Sequence, residues 1–506
     1  MEKFFNNVTL INNKMNAFIW GWPGVILLIG TGILLTVLTG VFQVTHIGHW
    51  MKKTVGGVVD KTNHNKKDKG SISQFQALCT ALSATIGTGN IAGVASAIYV
   101  GGPGAVFWMW IAAFFGMMTN YSENVLGIYF RRKNKDNEWS GGAMYYLQDG
   151  LGGYKGLKYV GKALAILFSC FAILASFGIG NMGQVNKIVA NMENAFFTNL
   201  NLKPLYGSVT VATILLGVAL MIFGSLIIVG GLKRVASFAE KIVPFMAIAY
   251  LIGGITICVL NHSLLADAFM SIFRYAFGVK AVGGAAIGIV IQQGCKRGVF
   301  SNEAGLGSSV MVHSNSNVKE PVKQGMWGIF EVFADTFVVC TMTALVVLTS
   351  GFINLSTGCP ADGVNDATLV ADAFASHFGA PGRWFIAIAV LLFAFTTVLG
   401  WSHYGSKSVE YLFGLKGVKI YRIIFCLMIV SGSLMTSSLA WDISDTFNGF
   451  MMVPNLIGVV ALSPLVVRIT KNYVSRKLHN KTCEPIISYD ADIQKEAAEA
   501  INNGEE

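Results

Sequence analysis

Two long apolar stretches of this chain are interrupted by glycine and polar residues. The interruptions are SATIGTGNIAG at residues 83–93, called the first break, and QGCKRGVFSNEAGLG at residues 293–307, called the second break. Glycine disfavours a helix by about 1 kcal/mol relative to alanine, so neither run suits a continuous helix. An unwound segment exposes carbonyl oxygens to a hard cation, and the helix that restarts after it offers free N–H groups to an anion. Both breaks therefore predict a site for ions or for a zwitterion.

The composition indicates what surrounds these breaks. Hydrophobic residues make up 53% of the chain and charged residues only 13%, whereas soluble domains carry roughly 25% charged residues. The mean hydropathy of +0.56 is that of a chain embedded in a lipid bilayer. The net charge of +10 does not indicate a nucleic-acid partner, because the basic residues occur in short runs between apolar stretches, as membrane topology requires.

The cysteines and the N-terminus suggest no additional chemistry. The eight cysteines contain no C-x-x-C pair, so we expect neither disulfides nor a cysteine metal site. The N-terminal sequence lacks a charged region followed directly by an apolar core and a small-residue cleavage site, and we expect no cleaved signal peptide.

Eleven segments are apolar enough to span a bilayer, which takes about 20 residues. Their approximate bounds are 20–45, 75–100, 105–130, 158–187, 207–230, 238–260, 283–309, 322–351, 384–407, 420–438 and 446–469. Residues 264–277 and 369–378 look amphipathic, and we expect them on the outer surface. The acidic, polar tail at 490–506 is predicted to be disordered.

Lysine and arginine are concentrated in alternate loops. The loops after the first, third, fifth, seventh, ninth and eleventh segments are basic, and the loops between them are sparse in basic residues. Basic loops stay in the cytoplasm, so we predict a multi-pass protein of the inner (plasma) membrane with its N-terminus outside and its C-terminus in the cytoplasm. The alternation supports the count, because one missed span would invert every later loop.

The two breaks lie five segments apart, in the second and seventh. Groups of five spans have opposite orientations, and interrupted helices at matching positions of inverted repeats indicate a transporter binding site. Close helix packing is the alternative explanation of the glycines, but packing glycines do not usually bring Asn90, Lys296, Asn302 and Glu303 with them. The predicted divisions are an extra N-terminal span and loop at 1–70, repeats at 71–262 and 263–470, and a cytoplasmic tail at 471–506.

At these residues the chain closely resembles the alanine or glycine:cation symporter family. The motifs that carry the resemblance are ALCTALSATIGTGNIAGVASAIYVGGPGAVFWMW, RGVFSNEAGLGSS, EVFADTFVVCTMTAL and FAFTTVLGWSHYG. The resemblance implies an all-α polytopic membrane protein of about eleven transmembrane helices, with the LeuT-type five-plus-five inverted repeat and one extra N-terminal span. It also implies import of a small neutral amino acid with co-transported sodium, and no organic cofactor.

The resemblance further implies where the two substrates bind. For the amino acid, Thr88 and Gly89 would contact the carboxylate with Asn90 nearby, and Gln184, Phe300 and Trp401 would bound the pocket. For sodium, the expected ligands are the hydroxyls of Thr396 and Thr397 and the backbone carbonyls of Ser83, Ile86 and Phe393. Whether a second sodium binds beside the amino acid stays open.

Four other polar residues of the predicted segments keep two interpretations each: Glu303, Glu331, Asp335 and His403. Acids within a membrane are functional candidates by default, but Glu331 and Asp335 could equally anchor a structural network. Glu303 could pair with Lys296 or Arg297, as a gate or as a helix brace. His403 could carry a proton or form a structural hydrogen bond.

Other function classes fit the sequence less well. A channel would need a selectivity-filter repeat or a ring of acids, and neither is present. The chain has no G-x-x-x-x-G-K-[ST] loop for ATP hydrolysis, no H-E-x-x-H and no G-x-S-x-G. Coupling to protons instead of sodium is the nearest alternative, since both ions can use the same carbonyl and hydroxyl oxygens.

Overall fold

The computed structural model describes residues 2–58, 71–197, 203–207, 209–277, 287–435 and 439–502. This part of the chain is mainly helical. Its one named pair of strands is a short antiparallel ribbon in which β1 (Arg132–Lys133) pairs with β2 (Trp139–Ser140).

The helices of the first half surround the first break. They are α1 (Glu2–Ile19), α2 (Trp22–Leu38), α3 (Phe42–Thr45), α4 (Ile47–Lys53), α5 (Val55–Val58), α6 (Gln74–Thr85), α7 (Val94–Gly101), α8 (Gly104–Tyr129), α9 (Ala143–Tyr145), α10 (Lys158–Phe177), α11 (Gly183–Met192), α12 (Val211–Ile228) and α13 (Gly231–Leu260).

The helices of the second half surround the second break. They are α14 (His262–Ala276), α15 (Ile287–Asn302), α16 (Val310–His313), α17 (Pro321–Val332), α18 (Thr341–Thr349), α19 (Leu369–Phe378), α20 (Ala380–Ser433), α21 (Leu439–Ala461), α22 (Ser463–Lys477) and α23 (Ala491–Asn502).

Several helices contain turns that are wider or tighter than an α-helical turn. The π-helical segments are Gly89–Gly93, Tyr146–Gly150, Gly178–Met182, Glu193–Phe197 and Phe333–Cys340, and Leu151–Gly153 is a 3₁₀ turn. Single π turns inside α-helices frequently mark functional sites.

Six helical stretches of the described chain are long and apolar enough to cross a membrane, and two bent helix pairs raise that number to eight. The 54-residue α20 contains the ninth predicted segment and most of the tenth, joined at Gly414, whose φ of 70° departs from helical geometry. The eleventh predicted segment is bent by 58° between α21 and α22. The predicted polytopic all-α class is confirmed, whereas the count of eleven spans stays a prediction.

Two central helices organise the packing. α8 packs against α2, α14, α15 and α17, and α20 packs against α10, α11, α12 and α19. Both broken helices contact this framework, since α6 packs on α20 and α15 packs on α8. The framework therefore holds the two breaks in place from both sides.

The tail prediction is wrong for the part of the tail that the structure describes. α23 follows a segment in which the backbone N–H of Tyr489 donates to the carbonyl of Tyr129 at 2.9 Å. The N–H groups of Ile487 and Ser488 donate to the Gln494 side chain at 2.8 and 2.9 Å. The prediction relied on the acidic composition and overlooked apolar residues at helical spacing. One of them, Ala497, is buried.

Candidate functional site

The first break is an interruption between two helices that start and end on local signals. Ser73 and Gln76 form a capping box at the start of α6, each side chain bonding the other's backbone N–H. α6 ends at Thr85, and Ile86 leaves helical geometry with a ψ of 85°. The chain resumes as a π-helical segment at Gly89, and the second half lies at 51° to α6.

The second break is shorter than the sequence predicts. α15 is continuous through Asn302, and the chain leaves the helix at Glu303, where φ is 55°. Gly305 and Gly307 also have positive φ, at 89° and 71°, a backbone region that favours glycine. By contrast, a Cβ at Gly294 would lie 2.4 Å from the Ala105 carbonyl oxygen of α8, so this glycine serves helix packing.

The two breaks meet at a cavity of about 20 Å³, called the central cavity. It is lined by Ala84, Thr85, Gly87, Gly89, Ile179, Gln184, Phe300, Glu303, Thr397, Trp401 and Asn448. The close approach favours glycine, because a Cβ at Gly89 would lie 3.3 Å from the Cα of Ser301. Residues predicted from three separate helices, Gly89, Gln184 and Trp401, thus lie around one space.

Sequence reasoning missed part of this lining. Asn448 belongs to a segment that the sequence did not connect with the breaks, and Ile179 was not singled out although it lies in the segment of Gln184. For Glu303 the sequence left two roles open, and neither was contact with the substrate. The polar Asn448 within an apolar segment was the one available indication in the sequence.

Thr88 lies between the central cavity and a larger one. Its hydroxyl donates to Oε1 of Gln184 at 3.0 Å, and the Gln184 amide donates to the Ile179 carbonyl at 3.0 Å. Thr88 also lines a cavity of about 110 Å³, called the vestibule, together with Lys187, Asn191 and Asp366 among others. The Thr88–Gln184 hydrogen bond therefore stands between the vestibule and the central cavity.

Asn90 is absent from the described lining and instead connects the first break to the π-helical segment Phe333–Cys340. Its Oδ1 accepts the backbone N–H of Gly87 at 2.9 Å, and its Nδ2 donates to Oδ1 of Asp335 at 2.6 Å. The same Asp335 oxygen accepts the Ser301 hydroxyl at 3.0 Å. One buried carboxylate consequently holds both breaks.

Glu331 and His403 have partners away from the central cavity. Oε2 of Glu331 lies 3.0 Å from Nε2 of His313 and accepts from Asn120 at 3.4 Å. Nε2 of His403 lies 3.4 Å from the Asn315 amide nitrogen. Both side chains therefore belong to the packing around α16, and Asp335 is the acid of the eighth predicted segment that reaches the breaks.

The adjacent threonines of α20 face different surroundings. The Thr397 hydroxyl donates to the Phe393 carbonyl at 2.9 Å, and a Cβ at Gly87 would lie 2.5 Å from that hydroxyl. The Thr396 hydroxyl also donates to the Phe393 carbonyl at 2.9 Å but lies 3.7 Å from the Met246 sulfur of α13. The structure thus brings Thr397, and not Thr396, to the unwound part of the first break.

The remaining predicted sodium ligands lie close to this point. Ile86 is the last residue before the unwound turn, and Ser83 precedes it by one helical turn. A Cβ at Gly400 would lie 3.0 Å from the Ser83 hydroxyl oxygen, so α6 and α20 touch here. Because Phe393 already accepts both threonine hydroxyls, its carbonyl mainly positions them in this arrangement.

The interpretation in which Glu303 pairs with Lys296 or Arg297 is wrong. Lys296 Nζ lies 2.8 Å from Asp445 Oδ2 and 3.2 Å from Asn16 Oδ1, and Arg297 donates to the Ser96 hydroxyl at 3.4 Å. The physical reason is the continuity of α15, because seven residues of helix separate Lys296 from Glu303 by roughly 10 Å along the axis. The Lys296–Asp445 pair joins α15, α21 and α1.

Comparison with known proteins agrees with this architecture. The family model described as the sodium:alanine symporter family matches residues 5–486. The sodium/alanine symporter AgcS of Methanococcus maripaludis is 42% identical, covering 92% of this chain and 97% of that protein. The probable sodium/glutamine symporter GlnT of Bacillus subtilis is 35% identical, covering 95% and 93%.

Two solved structures share the fold. MhsT in complex with L-phenylalanine has a TM-score of 0.52 at 13% identity, covering 80% of this chain and 99% of that one. A sodium-coupled sialic acid symporter in a substrate-bound outward-open state has a TM-score of 0.51 at 11% identity, covering 95% and 96%. At such identities the likeness shows the fold alone, which is that of the LeuT-type transporters.

Proposed function

Because the chain belongs to the sodium:alanine symporter family, we propose that it imports alanine and glycine together with sodium across the plasma membrane by alternating access. The chain is a multi-pass membrane transporter and not an enzyme. The observation that carries the proposal is the central cavity, where the two breaks meet between Gly89, Gln184 and Trp401.

The bulky side chains in the wall of the central cavity support a small substrate. A cavity of about 20 Å³ offers room for about one or two water molecules, so the site must widen to admit an amino acid. Phe300 and Trp401 are the large rigid side chains of its lining. Little space then remains beyond a methyl group, which favours alanine and glycine over leucine and phenylalanine.

The two halves of the zwitterion have separate places in the proposal. The first N–H groups of a helix have no intrahelical partner and carry partial positive charge. The π-helical segment that restarts at Gly89 supplies such groups beside the central cavity. We place the substrate carboxylate there, near Thr88 and Gly89, with Gln184 on the opposite wall.

Sodium binds, in this proposal, where the unwound turn of the first break meets α20. The Thr397 hydroxyl next to Gly87 and the carbonyls of Ser83 and Ile86 supply the oxygen ligands that hard cations prefer. Met246 is a poor partner for sodium, so the Thr396 hydroxyl must turn by one rotamer to join the site.

Alternating access requires two barriers that open in turn. The Thr88–Gln184 hydrogen bond is a thin barrier on the side of the vestibule. We place the vestibule on the outer side, because Lys187 and Asp366 follow predicted spans at their extracellular ends. The repeats at 71–262 and 263–470 would then move around the breaks.

Proton coupling is the second candidate, and Asp335 is the observation that favours it. Its carboxylate is fully buried and receives hydrogen bonds from both breaks. Such a group can exchange a proton when the breaks rearrange. The name of one relative, the putative sodium/proton-dependent alanine carrier protein YrbD of Bacillus subtilis, mentions both ions; it is 34% identical over 92% of each chain.

The test is uptake of radiolabelled alanine into proteoliposomes under a sodium gradient or a proton gradient imposed alone. We expect accumulation with the sodium gradient and none with the proton gradient. Unlabelled glycine should compete and leucine should not. Accelerated exchange by alanine on the far side would identify a carrier, since a channel shows none. Accumulation under a proton gradient alone would replace sodium with the second candidate.

A further inference from the structure

Glu303 places a carboxylate in the wall of the central cavity. The residue is 3% exposed, and its Oε2 accepts the Ser308 hydroxyl at 2.5 Å. The basic residues of the same break are engaged elsewhere, Lys296 with Asp445 and Arg297 with Ser96. The Trp401 side chain is a second hydrogen-bond partner of this carboxylate, and no basic side chain of the described residues forms a salt bridge with it. A buried carboxylate without a counter-charge is costly, so a bound cation would stabilise it.

The backbone at Glu303 is held in a conformation that suits glycine better. Its φ of 55° lies in the left-handed region directly after α15 ends. Helices commonly end on a glycine in this conformation, and glycines occupy positive φ at residues 305 and 307. A glutamate at such a position suggests that its side chain has a use, because strained residues that persist cluster at ligand sites.

We propose that the Glu303 carboxylate binds the ammonium group of the transported amino acid. The inference rests on the proposed function and adds the residue that distinguishes an amine from other small acids. Gly89 and Glu303 line the same cavity, so the π-helical N–H groups can take the carboxylate while Glu303 takes the ammonium. The bound zwitterion would then bring the missing counter-charge to Glu303.

The experiment compares alanine with lactate, the hydroxy acid of the same size that lacks the ammonium group. Competition against radiolabelled alanine on purified protein gives the affinity of each. In the wild type we expect alanine to bind at least a hundredfold more tightly than lactate. In Glu303→Gln we expect the affinity for alanine to fall at least tenfold and the affinity for lactate to change little. The ratio of the two affinities should therefore fall.

Three variants separate this role from structural ones. Glu303→Gly removes the carboxylate but suits the backbone, and it should lose the preference for alanine as Glu303→Gln does. Ser308→Ala removes the hydroxyl that positions the carboxylate. It should lower the affinity for alanine less than Glu303→Gln or Glu303→Gly does. Glu331→Gln is the matched control, since this buried acid is held by His313 outside the described lining, and its ratio should equal that of the wild type.

The proposal is overturned if Glu303→Gln keeps both the alanine affinity and the ratio. It is also overturned if either Glu303 variant changes only the sodium concentration needed for half-maximal binding, because the carboxylate would then serve the ion. If Glu303→Gln does not fold, Glu303→Gly gives the same comparison. If the wild type does not bind alanine, the proposed substrate is wrong, and the amino acid that does bind is compared with its own hydroxy acid.

Discussion

Thr397 and Thr396 are neighbours in α20, yet only the Thr397 hydroxyl lies against Gly87 in the first break. We predict that Thr397→Ala raises the sodium concentration for half-maximal alanine uptake about tenfold or more, the effect of losing roughly 1.4 kcal/mol of binding. Thr396→Ala should have a clearly smaller effect. The measurement is the initial rate of uptake at increasing sodium with saturating alanine. Equal effects of the two variants would show that both hydroxyls bind the ion.

Trp401 packs against a helix turn on one side and borders the central cavity on the other. A Cβ at Gly180 would lie 2.5 Å from the Trp401 side chain, and the Trp401 and Tyr404 rings are 5.4 Å apart. We predict that Trp401→Ala lets valine and leucine compete with radiolabelled alanine and lowers the affinity for alanine. Selection must be steric here, since one methylene in an apolar pocket is worth only about 1–3 kcal/mol.

A matched variant tests whether Trp401 limits the size of the substrate or only packs between helices. Gly180→Ala keeps the Trp401 side chain but adds a methyl group that would lie 2.5 Å from it. This variant should therefore weaken the binding of alanine without admitting leucine. If leucine competes as well as alanine against the wild type, the small-cavity interpretation fails.

At the scale of elements, the Lys296–Asp445 pair fastens α1 to α15 and α21. Asp445 also accepts the Asn16 amide at 2.8 Å, and the Lys296 ammonium lies 5.5 Å from the Trp20 ring centroid. We predict that Lys296→Met lowers stability by about 1–3 kcal/mol, less than for a fully buried pair because the lysine is partly exposed.

Thermal unfolding in detergent checks this pair. The melting temperature should fall in Lys296→Met and recover in part in Lys296→Met with Asp445→Leu, because the double variant leaves no unpaired carboxylate. An unchanged melting temperature in the single variant would show that α1 is fastened by its apolar contacts alone.

The sequence predicted the elements better than their interruptions. Long apolar runs fix where helices lie, and so α8 and α12 coincide with single predicted segments, while α20 joins two of them. α1 was not predicted, because asparagine and lysine interrupt its apolar positions. The second break was placed too early, since glycines that pack against α8, such as Gly294, look in sequence like glycines at positive φ, such as Gly305.

The site was predictable to the extent that a family resemblance could supply it. Gln184 and Trp401 were placed at the pocket, and both line the central cavity. A pairing of Glu303 with Lys296 or Arg297 stayed open, because sequence distance does not reveal that α15 continues past Lys296. Hydrogen-bond partners such as Asp335 for Asn90 depend on where remote helices cross, which a single sequence does not contain.

At the scale of the whole molecule, the orientation in the membrane stays a prediction from loop charges, and two native cysteines can test it. Cys359 lies in the loop before α19, which we predict to be extracellular and where Ala361 is exposed. Cys483 is exposed after α22, on the predicted cytoplasmic side. An impermeant maleimide applied to intact cells should label Cys359 and not Cys483.

Single replacements by serine assign the labelling. Loss of the signal in Cys359→Ser, and its persistence in Cys483→Ser, would agree with the orientation. Ala361→Cys should restore labelling to Cys359→Ser. The reverse pattern would invert the topology and exchange the outer and inner assignments of the vestibule.

The π-helical segments have a consequence for how chain length can vary. A π turn holds one residue more than an α-helical turn needs, so loss of one residue within Gly178–Met182 or Phe333–Cys340, which continue into α-helices on both sides, returns a regular helix with both flanks in phase. Elsewhere in a helix the same loss rotates every later side chain by about 100°. Single-residue deletions are thus best tolerated in the turns beside the breaks, where natural length variants can reshape the site and spare the scaffold.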